Sequence, residues 1–388
     1  MPGLCNNGIQ IKVTIMKSKI LMCGNEACGE GAMLAGCTFY AGYPITPQNE
    51  LTAYMARRLY DTGGVFIQAE SELAAINMVF GASCAGARAM TSSSSPGISL
   101  KQEGISYLAG CELPCVIVNM QRGGPGLGNI APSQGDYFQA VKGGGHGDYR
   151  LLVFAPASAQ EFLEYTALAF DLADKYRNPV MILGDGLLGQ MMEPVHMPSP
   201  KDQGGAAAEK PWTLTGCKGR KPRIIRSLLL PDGALEAHNK KLQEKFKLMT
   251  ELETRSETFY TKDSNIVLVA YGSVARIAKA AVEMAREKGI KAGLIRPITL
   301  WPFPSKVIEN TCVTAGPSAG SGSAPDNNRG AKKFLVVEMS AGQMVEDVRL
   351  AVNGRVPVEF YGRMGGGIPS EEEILKEIEL LAGPDEKD

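Results

Sequence analysis

The sequence predicts an α/β fold in which parallel sheets are covered by helices on both faces. Short apolar runs alternate with segments of helical periodicity from residue 20 to residue 195, and the alternation returns between residues 263 and 388. Strand–helix alternation at this spacing is typical of parallel sheets, because each strand needs a crossover helix to reach its neighbour. The 45 glycines are a third indication, since many short strand-to-helix turns require them.

The first segment contains six apolar runs and five stretches with helical spacing. The runs predict strands at 39–42, 65–68, 87–91, 115–120, 151–154 and 180–184. The periodic stretches predict helices at 26–35, 48–59, 71–84, 98–109 and 159–175.

The composition of the sequence changes after residue 195. A connector rich in Pro, Gly and Lys leads into a charged, periodic stretch at 231–260, which predicts an exposed helix that straps two domains together. A coiled coil is the weaker alternative, because the repeat is short. The tract 315–331 has no apolar periodicity and predicts a mobile surface loop.

The last segment predicts a second α/β unit. Its strands are expected at 265–270, 292–295 and 334–338, and its helices at 274–288 and 371–381. Ser370 and Glu373 form a capping box that opens the last of these helices.

A length of 388 residues suggests two or three domains. We divide the chain into an N-terminal extension at 1–17, a first domain at 18–195, a linker with the strap helix at 196–262, and a second domain at 263–388.

Composition excludes several classes of function. The net charge of −1 gives no electrostatic case for nucleic acid or an anionic membrane as a partner. The nine cysteines are scattered and include no CxxC pair, and the three histidines are far apart, so we expect this chain to build no metal or iron–sulfur site by itself. Buried thiols in a reducing cytoplasm are the simpler interpretation. The N-terminus lacks a signal-peptide pattern, and no apolar run reaches the ~20 residues of a membrane helix.

Two strand-to-helix junctions place polar side chains at one edge of the predicted sheet. The first is Tyr43-Pro44-Ile45-Thr46-Pro47, and the second precedes the helix at 71–84, where Glu72 lies in the first turn. Ligands bind at such carboxyl edges in open α/β sheets. Glu72 can be merely a favourable partner of the helix dipole. However, the small and apolar residues that follow it indicate an interface, where a desolvated carboxylate can hydrogen-bond a ring nitrogen. Glu70 is the competitor, expected in the loop.

Two further junctions carry polar groups. Arg122 opens a glycine-rich loop after the strand at 115–120, where it can either grip a carboxylate or lie free in solvent. The serines Ser92–Ser95 are either N-cap residues or hydroxyls that line the same crevice, and both interpretations can be true at once.

The motif at 43–47 is either a stiff connection with Pro47 at the helix start or a means of presenting the Thr46 hydroxyl.

The triplet Gly184-Asp185-Gly186 resembles the opening of the signature that binds Mg²⁺ and diphosphate in thiamine enzymes. That signature needs an Asn some 25–30 residues later to complete the oxygen ligands of the metal, and no Asn lies between Asn178 and Asn239. We therefore interpret the triplet as a strand-end turn.

The motifs at 43–47, 68–75, 92–104 and 121–126 together resemble the α subunit of 2-oxoacid:ferredoxin oxidoreductases. The resemblance runs from about residue 18 to the second unit, where Arg296-Pro297-Ile298-Thr299-Leu300-Trp301-Pro302 continues it. Within that family the chain is most similar to enzymes of branched-chain 2-oxoacids such as 2-oxoisovalerate, with the 2-oxoglutarate type as a near neighbour. The extension before residue 15 and the loop 315–331 do not look typical of the family.

The resemblance implies a fold, a cofactor and partners. Residues 18–195 would be the pyrimidine-binding domain of a thiamine diphosphate enzyme, and residues 263–388 would resemble the transketolase C-terminal domain. Mg²⁺ and the diphosphate would be held by a partner β subunit, and the [4Fe-4S] clusters by other partners. A γ subunit, a ferredoxin-like δ subunit, ferredoxin, coenzyme A and a small 2-oxoacid would complete the system.

The resemblance also implies roles for individual residues. Glu72 would hydrogen-bond N1′ of the aminopyrimidine and serve as the catalytic carboxylate. Tyr43, Pro44 and Ile45 would contact the cofactor, while Thr46 and Arg122 would hold the carboxylate and oxo group of the substrate. Two rivals remain: the β subunit of a lipoamide-linked 2-oxoacid dehydrogenase, and a non-catalytic scaffold that only completes a partner's site.

Overall fold

The computed structural model describes residues 19–198, 210–312 and 330–383. The predicted extension at 1–17 and residues 315–329 of the predicted loop lie outside the described residues. Two large sheets and one small sheet organise the described part of the chain.

The first unit begins with a strand and alternates strands with helices. Its elements are β1 (Lys19–Cys23), α1 (Gly24–Leu34), β2 (Phe39–Gly42), α2 (Asn49–Thr62), β3 (Val65–Gln68), α3 (Glu72–Cys84), β4 (Ala89–Ser93), α4 (Ser95–Gly110), β5 (Cys115–Gln121), α5 (Tyr137–Lys142), β6 (Leu152–Phe154), α6 (Ala159–Tyr176), β7 (Pro179–Asp185), α7 (Gly186–Gln190) and β8 (Met192–His196). All six predicted strands and five predicted helices are present, with ends that shift by a few residues.

The second unit follows a long helix. Its elements are α8 (Ala234–Glu253), β9 (Ser256–Phe259), β10 (Ile266–Val269), α9 (Gly272–Glu287), β11 (Ala292–Pro297), β12 (Thr299–Trp301), α10 (Ser305–Thr311), β13 (Lys333–Glu338), α11 (Met344–Val352), β14 (Val358–Gly362) and α12 (Glu371–Ala382). The capping box of Ser370 and Glu373 is present at the start of α12.

The main sheet has seven strands in the order β12-β6-β7-β5-β4-β2-β3. Every pairing in it is parallel except that of β12 with β6. The central strands β5 and β7 pair along their whole length, from Cys115 opposite Pro179 to Gln121 opposite Asp185, and all their residues are buried. Burial on both faces explains why these runs are continuously apolar rather than alternating.

The second sheet has the order β14-β13-β10-β11-β9, with β9 antiparallel to its neighbour. Side chains of β10 alternate between two cores: Val267 and Val269 belong to the core shared with the first unit, whereas Ile266 and Leu268 face the core under α9 and α12. The two units therefore share apolar packing.

The predicted helix at 231–260 is wrong at its C-terminal end. The helix stops at Glu253, and residues 256–259 form the edge strand β9, which pairs with β11. This strand is polar and only partly buried, so its sequence carries no apolar run by which to find it. The predicted linker at 196–262 thus ends inside the second sheet.

A buried polar link also joins the units. The Gln134 side chain donates to the Tyr271 carbonyl at 2.9 Å and accepts from the Met339 backbone N–H at 3.0 Å. The Tyr137 hydroxyl donates to the Asp347 carboxylate at 2.6 Å. Because these bonds satisfy buried groups on both sides, they hold the carboxyl edges of the two sheets at a fixed distance.

No helix among the described residues is both long enough and apolar enough to cross a bilayer.

Close packing of α1 against α6 requires glycine at position 31. A Cβ built there would lie 2.3 Å from the Leu163 carbonyl oxygen, which is backbone and cannot swing away. We expect Gly31→Ala to lower the free energy of unfolding by about 3 kcal/mol, since overpacking forces the two helices apart. Gly81→Ala in α3 is the control, because a Cβ there meets nothing within 4 Å. That change should be neutral or stabilising by up to about 1 kcal/mol. Thermal unfolding of the two variants measures the difference.

Candidate active site

The carboxyl edge of the main sheet gathers the predicted site residues. Strands β2, β3, β4 and β5 run parallel and therefore end at the same edge. The segments that follow them carry Thr46, Glu72, the serines Ser94 and Ser95, and Arg122 respectively. Neighbouring strands in a parallel sheet bring such residues to a common crevice.

Glu72 is the first residue of α3 and is buried, with only 6% of its surface exposed. Ser71 precedes it as the N-cap, and its hydroxyl accepts from the Ala74 backbone N–H at 3.1 Å. Within the described residues no group hydrogen-bonds the Glu72 carboxylate. The competitor Glu70 is exposed in the loop, as predicted. A helix dipole alone does not require burial of its acidic partner, so the dipole does not explain why Glu72 is buried, and its catalytic role stays a prediction.

Gly97, in the first turn of α4, lies directly against Glu72. A Cβ at this position would lie 2.6 Å from Glu72 Oε1 and 2.1 Å from Ser93 Oγ. Only glycine therefore lets α4 approach the carboxylate so closely, and the helix backbone forms one wall of its surroundings.

The four serines at 92–95 do not act as a string of helix caps. Helix α4 begins at Ser95, three residues earlier than predicted, and its N-cap Ser94 makes no side-chain cap bond. The hydroxyls of Ser93 and Ser94 are buried without a partner among the described residues. Ser92 instead joins a network with the Tyr40 hydroxyl at 2.5 Å and the Gln48 side-chain carbonyl at 2.5 Å. Buried hydroxyls without a partner are uncommon, so these two serines make this edge a candidate site.

Arg122 contacts the backbone carbonyl of Thr46 and not its hydroxyl. The guanidinium donates from Nη1 to the Thr46 carbonyl and from Nη2 to the Leu127 carbonyl, each at 3.1 Å. The Thr46 hydroxyl accepts from the Asn49 side chain at 3.3 Å. Pro47 precedes the N-cap Gln48, so it lies just before the helix rather than at its first position.

The remaining residues of the 43–47 motif lie at the rim. Tyr43, 39% exposed, and Pro44 face solvent, whereas Ile45 is half-buried. Their contact with a cofactor stays a prediction.

Arg122 also lines a cleft of about 490 Å³ between the two units. One wall comes from Ser95, Asp136 and the glycine-rich loop 123–126, and the other from Met339, Gln343 and Met364 of the second unit. Sequence reasoning missed the second wall, since it depends on how the units pack. It also missed Asp136, which accepts from Ser95 at 2.6 Å and from Asn119 at 2.9 Å. Burial raises the pKa of Asp136.

Lys101 is the least expected residue at this edge. It is fully buried on α4 and donates from Nζ to Thr91 Oγ1 at 2.7 Å and to the Ser92 carbonyl at 3.2 Å. Burial lowers its pKa to about 7, while the charge of Glu72 opposes that change. The spacing of Ile98, Lys101, Ile105 and Leu108, all buried, was the available signal, because it places the lysine on the apolar face of its helix.

Asp185 of the Gly-Asp-Gly triplet has a structural role. Its carboxylate caps α7 by accepting from the backbone N–H groups of Leu187 and Leu188, and it accepts from the Ser273 hydroxyl at 2.7 Å. The triplet lies at the predicted strand end, where β7 passes directly into α7. In the described part of the chain, no cluster of three or more His, Cys, Asp or Glu side chains is placed to hold a metal ion.

Two family models match the chain. The family described as "Pyruvate flavodoxin/ferredoxin oxidoreductase, thiamine diP-bdg" matches residues 30–247, which is more than half of the chain. "Pyruvate:ferredoxin oxidoreductase core domain II" matches residues 264–315.

Curated relatives extend over nearly the whole chain. The ketoisovalerate oxidoreductase subunit VorB of Methanothermobacter thermautotrophicus is 49% identical over 93% of this chain and 97% of its own length. The 2-oxoglutarate synthase subunit KorA of the same organism is 36% identical over 94% of this chain and 99% of its own length.

Two solved structures are similar to this chain along most of its length. A 2-oxoglutarate:ferredoxin oxidoreductase from Magnetococcus marinus, with 2-oxoglutarate, coenzyme A and succinyl-CoA bound, is similar with a TM-score of 0.81 and 27% identity. The match covers 96% of this chain but 66% of that one, just under two thirds of its length. A split-gene transketolase, in an inactive β4 tetramer, has a TM-score of 0.53 at 14% identity over 92% of this chain and 97% of its own, which speaks for the fold alone.

Proposed function

The chain belongs to the 2-oxoacid:ferredoxin oxidoreductase family, and we propose that it forms the pyrimidine-binding half of the active site in the branched-chain enzyme. It is an α/β oxidoreductase subunit with the thiamine-diphosphate-binding fold, followed by a transketolase C-terminal-like unit. The substrate we propose is 2-oxoisovalerate. Identity of 49% to a ketoisovalerate oxidoreductase subunit, against 36% to a 2-oxoglutarate synthase subunit, supports this choice.

One observation carries the assignment of the site: Glu72 is buried at the carboxyl edge of the main sheet, and its carboxylate has no hydrogen-bond partner among the described residues. The Glu72 carboxyl group can hydrogen-bond a ring nitrogen of an aminopyrimidine, and the backbone of α4 at Gly97 lies against one side of its Oε1. We propose that the Glu72 carboxyl group donates the proton in its hydrogen bond to the ring nitrogen.

The reaction that follows from this assignment converts a 2-oxoacid and coenzyme A to an acyl-CoA, CO₂, one proton and a pair of electrons, which pass to ferredoxin. Thiamine diphosphate, when bound, supplies the electron sink for loss of CO₂. Arg122 would pair with the substrate carboxylate and fix the direction from which the oxo carbon is approached. Thr46 would contribute its hydroxyl, after release from Asn49, to the same group.

The rest of the system would come from partners. We propose a β subunit that holds the diphosphate and Mg²⁺, because Asp185 of this chain is already satisfied by a helix cap and by Ser273. The [4Fe-4S] clusters would lie on γ and ferredoxin-like δ subunits. The cytoplasm is the proposed location, consistent with the free thiols of the eight cysteines that the structure describes.

The test is to co-purify the complex and compare coenzyme-A-dependent viologen reduction with 2-oxoisovalerate, 2-oxoglutarate and pyruvate. We expect the highest kcat/KM with 2-oxoisovalerate. A higher kcat/KM with 2-oxoglutarate would instead identify the complex as a 2-oxoglutarate:ferredoxin oxidoreductase. Acylation of a lipoyl domain without viologen reduction would show that the complex is a lipoamide-linked dehydrogenase. Tight binding of thiamine diphosphate with Mg²⁺ by the lone chain would contradict a cofactor site shared with a partner subunit.

A further inference from the structure

A closed triangle of hydrogen bonds lies beside Arg122. The Asn119 side chain accepts from the Ser95 backbone N–H at 3.0 Å and donates to Asp136 Oδ2 at 2.9 Å. The Ser95 hydroxyl donates to the same carboxylate oxygen at 2.6 Å. The backbone N–H of Asp136 is held as well, since it donates to the side-chain carbonyl of Gln121 at 3.0 Å. Because each of the three residues is bonded to the other two, the triangle is rigid.

The Ser95 hydroxyl connects this triangle to the backbone of Arg122. Gln121 is the last residue of β5 and the last that pairs with β7, so the N–H of Arg122 lies beyond that ladder. The Ser95 oxygen accepts from this N–H at 3.0 Å. A hydroxyl that donates its proton to a carboxylate keeps its lone pairs for such a bond. The serine thus holds Arg122 where the glycine-rich loop begins.

The backbone of Ser95 indicates that its hydroxyl is what this position needs. Its φ is +20°, a conformation that residues with a side chain rarely adopt and glycine adopts more easily. Residues in such conformations persist where their surroundings hold them, and they cluster at binding and active sites. Glycine would relieve the strain but would lose both hydrogen bonds of the hydroxyl.

The other end of Arg122 is also anchored. Its guanidinium donates to the carbonyls of Thr46 and Leu127. Ser95, Arg122 and Asp136 all line the cleft between the two units. The place of the guanidinium in that cleft is therefore set from both ends, by the two carbonyls at its tip and by Ser95 at its backbone.

We propose that Ser95 and Asp136 are positioning residues, which hold the backbone of Arg122 so that its guanidinium meets the carboxylate of the 2-oxoacid. This role rests on the proposed function of Arg122. Asp136 fixes the Ser95 hydroxyl, and the hydroxyl fixes the N–H of Arg122. Displacement of the guanidinium would weaken substrate binding, because its bonds to a carboxylate depend on direction.

Hydrogen exchange at the Arg122 amide tests the contact without an activity assay. We expect Ser95→Ala and Ser95→Gly in the co-purified complex to raise the exchange rate at this amide about tenfold or more, since the N–H loses its acceptor. Ser106→Ala is the control, because it removes a buried hydroxyl from the same helix whose bond goes to the Glu103 carbonyl. Exchange at the native rate in both Ser95 variants overturns the proposal.

Steady-state kinetics of the complex test the role in substrate binding. We expect Ser95→Ala and Ser95→Gly to raise KM for the 2-oxoacid equally, by about tenfold, with kcat within about twofold of the native value. Alanine keeps the backbone strain that glycine relieves, so a merely structural role predicts a lower KM for Ser95→Gly than for Ser95→Ala. That ranking, or a native KM in both variants, overturns the proposal.

A double-mutant cycle shows whether the serine acts through Arg122. Ser95→Ala should lower kcat/KM about tenfold in the native chain and less than about twofold when Arg122 is already replaced by alanine. With the guanidinium gone, Ser95 has nothing left to position. Equal effects in the two backgrounds would mean that Ser95 acts independently of Arg122 and contradict the proposed role.

Substitutions of Asp136 separate its hydrogen bonds from its charge. Asp136→Asn keeps an oxygen that can accept from Ser95 and Asn119, whereas Asp136→Ala removes it. We expect KM to rise about tenfold in Asp136→Ala and to stay within about threefold of the native value in Asp136→Asn. An equal rise in both assigns the effect to the charge and overturns the proposal.

Failure of the proposed function is distinguishable from failure of this inference. If the complex has no oxidoreductase activity, or if replacement of Arg122 leaves KM at its native value, the proposed function fails. Hydrogen exchange still decides whether Ser95 holds the backbone of Arg122, because it needs neither substrate nor turnover.

Discussion

Glu72→Ala in the full complex is expected to reduce coenzyme-A-dependent viologen reduction by about a thousandfold or more. Glu72 is buried at the carboxyl edge of the main sheet, and its carboxylate has no hydrogen-bond partner among the described residues. Removal of a positioned acid–base group typically costs 10²–10⁴-fold. Assembly should be intact, because within the described residues the Glu72 side chain makes no hydrogen bond that the fold would lose, and Ser71 still caps α3.

The control for this change lies two residues away. Glu70 is exposed in the loop that precedes α3, so Glu70→Ala removes the same charge from the same junction without touching the crevice. Its turnover should stay within about twofold of the native complex, since surface changes away from such features have small effects. Size-exclusion chromatography of both variants checks assembly. Near-normal turnover of Glu72→Ala would remove the residue from the chemistry and leave this chain as a scaffold.

Sequence reasoning located the edge of the main sheet because the information there is local. The strands β2 and β3 were predicted with their observed ends, and Glu72 was distinguished from Glu70 by the small and apolar residues that follow it. Each of these inferences depends on fewer than ten consecutive residues, which is the range over which periodicity and helix-start signals act.

The parts that were missed depend on packing between distant segments. Strand β12 lies far along the chain yet completes the first sheet beside β6, and the polar strand β9 was read as the end of a helix. Lys101 was passed over although its spacing with Ile98 and Ile105 indicates a buried face, and its hydrogen bonds to Thr91 and Ser92 join segments that no local pattern pairs. The contact of Arg122 with Thr46 runs through a backbone carbonyl, which no side-chain pattern can indicate.

Substitution of Arg122 by Lys is expected to raise KM for the 2-oxoacid by about a hundredfold with a smaller effect on kcat. In the structure two of its N–H groups are held by the carbonyls of Thr46 and Leu127, which fixes the plane of the guanidinium at the mouth of the cleft. Its Nε is buried without a partner among the described residues. A lysine carries the same charge but cannot reach both carbonyls and a carboxylate together.

Arg88 provides the matched control for this prediction. It also donates to a backbone carbonyl, that of Ala35 at 2.6 Å, and it pairs with Asp171 and Asp174 on α6, away from the ligand edge. Arg88→Lys should lower the unfolding midpoint while leaving KM unchanged, whereas Arg122→Lys should raise KM with little change in the midpoint. Loss of a charge-assisted hydrogen bond to the substrate costs about 1.5–3 kcal/mol, which corresponds to the expected rise in KM. If steady-state kinetics give Arg122→Lys a native KM, the substrate carboxylate must be held by another group, and Arg122 serves only to tie the glycine-rich loop to the turn at Thr46.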